Sequence, residues 1–146
     1  MKILNCAIVS AVLMAGAAFA EGNATDPAAV AREAVMKEIG GAMGKLGGIA
    51  KGETPYDATV ADEAKAALIA ASAKVPEAFK EAGGEDATSE AKAEIWTNWE
   101  DFLKKNETLS AAATALDVSS AETIGASLGA IGGACKDCHT VYRIQK

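Results

Sequence analysis

The sequence predicts an all-α fold, an antiparallel up-down-up-down bundle of four helices. Three observations carry this. The chain is rich in Ala, Glu, Lys and Leu and poor in strand-formers. Its apolar residues recur at alternating spacings of three and four, the period of a helix with one buried face. Short segments with capping and breaking residues separate four such stretches, and short connections imply antiparallel neighbours.

Before the first of these comes a leader. Met1 and Lys2 give a charged start, Ile3 to Ala15 an apolar run too short to anchor in a bilayer, and Ala18-Phe19-Ala20 the small residues a signal peptidase reads. Residues 1–20 are thus expected to be removed, with Cys6 among them, leaving residues 21–146 as one exported, soluble domain. Export from a bacterial cell places it most simply in the periplasm. Removal of the leader takes Lys+Arg from 14 to 13 against 20 Asp+Glu, a formal charge of −7. So acidic a chain repels nucleic acid and anionic membrane surfaces, and neither is an expected partner.

The first helix opens at Asp26-Pro27, an N-cap followed by proline at the first helical position. Its seam is Met36, Ile39, Met43, Leu46 and Ala50, and it ends near Lys51-Gly52, with Thr54-Pro55-Tyr56 turning the chain. Glycines at 40, 41, 44, 47 and 48 disfavour a helix interior. They imply either a close helix crossing or room for a flat, bulky cofactor. The second helix starts from Asp57 with the seam Val60, Ala64, Ala67, Ala71, Val75 and Phe79, and Pro76 is expected to kink it or end it early. The third is expected to open at Thr88 or Ser89, with the seam Ile95, Trp99, Phe102, Asn106, Leu109, Ala113 and Leu116; Asn106 is a polar intruder read as a boundary position. The fourth begins at a capping-box pattern from Ser119 to Glu122. Its seam runs Ile124, Leu128, Ile131, Cys135, Cys138 and Tyr142, which turns the two cysteines toward the bundle interior.

Cys135-Lys136-Asp137-Cys138-His139 contains both cysteines left after the leader and the only histidine of the chain. On a helix, positions i, i+3 and i+4 share a face. Two thiols there can add to the two vinyl groups on one porphyrin edge while the imidazole reaches the iron. Cys-x-x-Cys-His is the attachment signal for c-type haem, and export independently supports it. A structural zinc site lacks a fourth His or Cys ligand. A dithiol redox pair calls for strands that this chain lacks. The expected cofactor is one covalent haem c with its iron.

The motif lies at the extreme C-terminus, so any second axial ligand must come from upstream. Arg32-Glu33-Ala34-Val35-Met36, Met43-Gly44, Lys51-Gly52-Glu53-Thr54-Pro55-Tyr56-Asp57, Glu94-Ile95-Trp96 and the segment from Cys135 to Arg143 together resemble the class II c-type cytochromes, cytochrome c′ and its low-spin relatives. The resemblance spans essentially the whole chain after the leader. It implies thioethers at Cys135 and Cys138 and His139 as proximal iron ligand. It further implies Arg32 and Glu33 at the propionate edge, Glu90 approaching from the other edge, and Arg143 flanking the imidazole. Met36 takes the distal position, where thioether ligation gives a six-coordinate electron carrier and an apolar side chain leaves iron five-coordinate. Met43 is read as core. The implied function is one-electron transfer to redox partner proteins without catalysis. The alternative is binding of nitric oxide or carbon monoxide as a small gas ligand. A stress-linked peroxidase has no residue to argue for it. The resemblance also allows a homodimer through the first two helices.

Overall fold

Asp26 begins the first helix as the sequence predicts, accepting hydrogen bonds at Oδ1 from the Ala28 and Ala29 amides, 3.0 Å each. In the computed structural model, which describes residues 24–145, this helix is α1, Pro27–Ala50. The leader lies outside the described residues. Gly52, at φ 73°, takes the left-handed conformation that ends the helix without a Cβ clash. α2, Ala58–Phe79, starts from Asp57, whose side chain accepts from the Val60 amide. α3 is a single turn, Glu94–Thr97, followed by α4, Trp99–Ala115, and α5, Ala121–Tyr142. α1 packs on α2, α4 on α5, and the square closes through α2 with α4 and α1 with α5. The result is the antiparallel four-helix bundle, with one added helical turn. Among the described residues there is no strand and no helix long and apolar enough to cross a membrane.

Several local expectations are corrected. The third helix does not open at Thr88 or Ser89. Asp86 instead holds Thr88 in a turn through its amide and hydroxyl, and residues 90–92 are extended. Lys92 N donates to the Tyr142 carbonyl at 3.0 Å and Ile144 N to the Glu90 carbonyl at 2.8 Å, an isolated antiparallel bridge centred on Ala91 and Arg143. Those backbone groups are committed to Tyr142 and Ile144, at and just past the end of α5, and so are not free to make a helix. The fourth helix is capped one residue later than expected: Ser120 and Thr123 exchange the two bonds of the box. In α1 the buried stripe runs through Val35, Ala42 and Ile49, and Met36 and Met43 lie on its half-buried flank. In α2 Ala61 and Leu68 take the interior, while Val60 is 37% exposed.

Pro76 neither ends nor shortens α2. A proline at this position has no amide hydrogen to offer the Ser72 carbonyl four residues earlier. Asn106 supplies the missing donor, its Nδ2 lying 3.1 Å from that carbonyl. The polar intruder of the α4 seam is therefore interior, 8% exposed, and placed there by a proline on a neighbouring helix.

Candidate cofactor site

Between α1 and α5, closed at one end by the α2–α3 connection, lies a cavity of about 1000 Å³. This is the upper end of the ~300–1,000 Å³ typical of ligand and cofactor sites. α5 contributes Cys135, Cys138 and His139, all half-buried, and α1 contributes Arg32, Glu33, Met36 and Met43. Glu90 and Arg143 line it as well, so every residue singled out in the sequence reaches one chamber. Met43 departs from its expected place in the core and shares the cavity wall with Met36.

The two cysteines are free thiols. Burial raises the Cys135 thiol, and burial is again the main reason why Cys138 is pushed up to about 11, against the pull of Lys105. Both thiols are thus protonated at neutral pH in the absence of another charge. His139 moves the other way. Burial first, and then the Arg143 cation, lower its pKa, so its ring is neutral and a lone pair is available to a metal.

Arg32 is 5% exposed. Its Nη1 donates to the Glu81 and Ala82 carbonyls at 2.9 and 3.2 Å and its Nη2 to Ser89 Oγ at 3.4 Å. The guanidinium carbon lies 5.9 Å from the Phe79 ring centre and 5.3 Å from that of Trp96. Trp96 is itself held by its indole N–H, 2.8 Å from the Phe79 carbonyl. Arg32 Nε, buried on the cavity wall, has no hydrogen-bond partner. A buried guanidinium with an unmet donor is suited to an anionic group in the cavity, since leaving it unpaired is costly.

Glu90 and Arg143 meet each other directly. They form an ion pair, with Arg143 Nε and Nη2 both 2.5 Å from Glu90 Oε2. Glu33 is engaged by Lys37, one turn on, at 2.6 Å. Lys105 pairs with Asp137 at 3.3 Å beside the motif, a cavity-lining residue the sequence did not mark. The Phe79–Trp96 clamp on Arg32 was equally unmarked. The Asn106–Ser72 bond had a legible signal, a mid-helix proline and a polar residue in an apolar seam, which had only to be read together.

The glycine question resolves at Gly40, which alone of the five α1 glycines lines the cavity. A Cβ at Gly40 or Gly132, both on the cavity wall, would meet no heavy atom within 4 Å. No helix crossing demands glycine there, and the geometry matches room for a broad, flat group. Two thiols and an imidazole on one helix face, an apolar chamber and an unmatched buried cation together fit a dicarboxylate porphyrin. Among the described residues, no cluster of three or more His, Cys, Asp or Glu side chains is placed to hold a bare metal ion.

A family model described as Cytochrome C' matches residues 27–143. The chain is 46% identical over 120 residues to a cytochrome c-556 of Agrobacterium tumefaciens, covering 80% of this chain and 94% of that one. It is 34% identical to a cytochrome c' of Pararhodospirillum photometricum, over 77% of this chain and 92% of the relative. Among solved structures it resembles a nitric oxide complex of a cytochrome c prime mutant from Alcaligenes xylosoxidans, with TM-score 0.70 and 27% identity over 81% of this chain and 94% of that one.

Proposed function

The chain belongs to the cytochrome c′ family, whose cofactor is haem c, and within that family we propose that it is a six-coordinate, one-electron carrier. Cys135 and Cys138 would carry the thioether bonds, and His139 would be the proximal ligand through its neutral ring. Arg32, with its free Nε, would hold a propionate. Met36 would supply the distal thioether.

The single observation that carries this reading is that α1 presents Met36 to the same cavity that α5 lines with the three residues of the motif. Bound haem iron supplies the one-electron chemistry. The chain's own residues fix the group in one orientation, keep it in a largely apolar chamber and provide axial donors. A ligand held in both oxidation states keeps reorganisation small and suits transfer to a partner. The only histidine of the chain is assigned to iron and so is not available for acid–base catalysis. We further propose that residues 1–20 direct export and that the mature domain works in the periplasm.

Nitric oxide bound to the relative from Alcaligenes xylosoxidans favours a second reading, five-coordinate iron that takes a gas. Absorption spectra of the ferric and ferrous holoprotein, with and without carbon monoxide, separate the two. Low-spin spectra indifferent to carbon monoxide, turning high-spin in Met36→Leu, are expected. A wild-type protein that is already high-spin would overturn Met36 ligation and put gas binding first.

A further inference from the structure

We infer that Glu90 is a positioning residue: through its ion pair with Arg143 it sets the charge beside His139 and thereby the reduction potential of the haem. This rests on the haem being held by His139 and not on whether Met36 completes the sixth site.

Arg143 stands one turn after His139, and its amide donates to the His139 carbonyl at 3.1 Å, so the two move together. A cation at the end of a helix needs no partner, since the helix dipole already favours it. Here the guanidinium turns away from its own helix to a carboxylate 53 residues earlier in the chain. Glu90 is fixed to receive it, because its own carbonyl accepts the Ile144 amide and the neighbouring Lys92 amide reaches Tyr142. Both partners line the cavity with His139. Their side chains are 27% exposed for Glu90 and 51% for Arg143, so water screens the pair only in part. A pair this exposed adds little to folding stability. Its two charges are of opposite sign and sit beside the ring that would face the iron, so each acts on a charge there in the opposite sense. Oxidation of the iron adds one positive charge next to that ring. Removing the negative charge of Glu90 would disfavour the ferric state, and removing the positive charge of Arg143 would favour it.

The test is a redox titration of the purified holoprotein against mediators of known potential, with the covalent haem and its ligation checked on the same absorption spectra. Glu90→Gln is expected to raise the potential, making reduction several-fold more favourable. Arg143→Gln should lower it. The double variant should return close to wild type because the two opposite shifts offset each other, and Arg143→Lys should stay near wild type by keeping the charge. A merely structural clasp would loosen the site in both single variants and move the potential the same way in each. Shifts of the same sign, or none, would overturn the proposal. Loss of the Met36 spectral signature in the wild type would count against the sixth ligand alone and leave this comparison readable.

Discussion

Where α1 ends and α5 begins, the bundle is closed by its own side chains; at the opposite end, the helices stand around a cavity. In the first region Leu46, Ile49, Leu116 and Ile124 are almost completely buried. Tyr56 donates its hydroxyl to the Val118 carbonyl at 2.9 Å and Lys65 its Nζ to the Leu116 carbonyl at 2.7 Å, sealing the α4–α5 connection. In the second, Met36, Met43, Cys135 and Cys138 remain half-buried. One end completes its core from the chain alone, and the other is completed by the cofactor. The division falls within single helices, so α1 and α5 each have a half stabilised by protein contacts and a half that depends on what the cavity holds.

Removing the attachment points should break this comparison most severely. Cys135→Ala with Cys138→Ala is expected to abolish covalent haem altogether, read as loss of haem absorbance after denaturing extraction. Hydrogen exchange on that protein should show fast amides along Arg32–Met43 and Cys135–Tyr142, with protection kept around Leu46, Ile49 and Ile124. Uniform loss of protection would mean that the two ends are one cooperative unit.

Truncations in the two regions sharpen the contrast. Leu46→Ala should cost ~2–5 kcal/mol whether or not haem is attached, by removing a fully buried side chain from a closed core. Met43→Ala should cost about 1 kcal/mol or less in the haem-free double variant, since a side chain on an open wall leaves little new cavity behind. Urea unfolding measures both, and equal losses would refute the division.

The Ser72 carbonyl lies between the two regions and gives a smaller effect. Asn106→Ala should cost ~1–3 kcal/mol, because it leaves that buried acceptor unpaired. In a Pro76→Ala background the residue-76 amide can take the carbonyl, and the loss should fall by more than half. A thermal-melt cycle in which the two changes simply add would show that Asn106 acts in some other way.

The smallest effect is expected at the mouth of the cavity. Asp86 accepts hydrogen bonds from the Thr25, Asp26 and Thr88 amides, which hold its carboxyl well below the usual range; Asp26 is lowered chiefly by the Gly84 and Ala29 amides. With the folded pKa depressed, their contribution is fully present above the unfolded value of ~3.9 and is lost as pH falls below it. Asp86→Asn should therefore lower stability slightly at neutral pH and flatten its decline under acid. An unchanged slope below about pH 4 would exclude the clamp as a source of acid sensitivity.

Much of this was legible in the sequence, for reasons particular residues make plain. Asp26-Pro27, Gly52 and Asp57 act through local backbone chemistry, and their helix ends fall where expected. Cys135, Cys138 and His139 are bound to one face by helical spacing alone. Failures occurred where distant segments compete. Glu90–Lys92 looks helical until Tyr142–Ile144 claims its backbone groups, and Glu90 meets Arg143 across a separation no local pattern reveals. Alanine-rich helices also read ambiguously in rotation: in α2 the more apolar Val60 draws the seam, yet the smaller Ala61 is the one that turns inward. Met43 looked like core because a cavity wall is as apolar as a core.

The short run from Asp86 to Lys92 buckles both ends of the fold, tying Thr25 and Asp26 on one side and Tyr142 to Ile144 on the other. These bonds join residues about 50 to 60 positions apart, nearer in sequence than the pairing of α1 with α5, so one short segment fastens both ends of the described chain to its middle, and loosening it would release both at once.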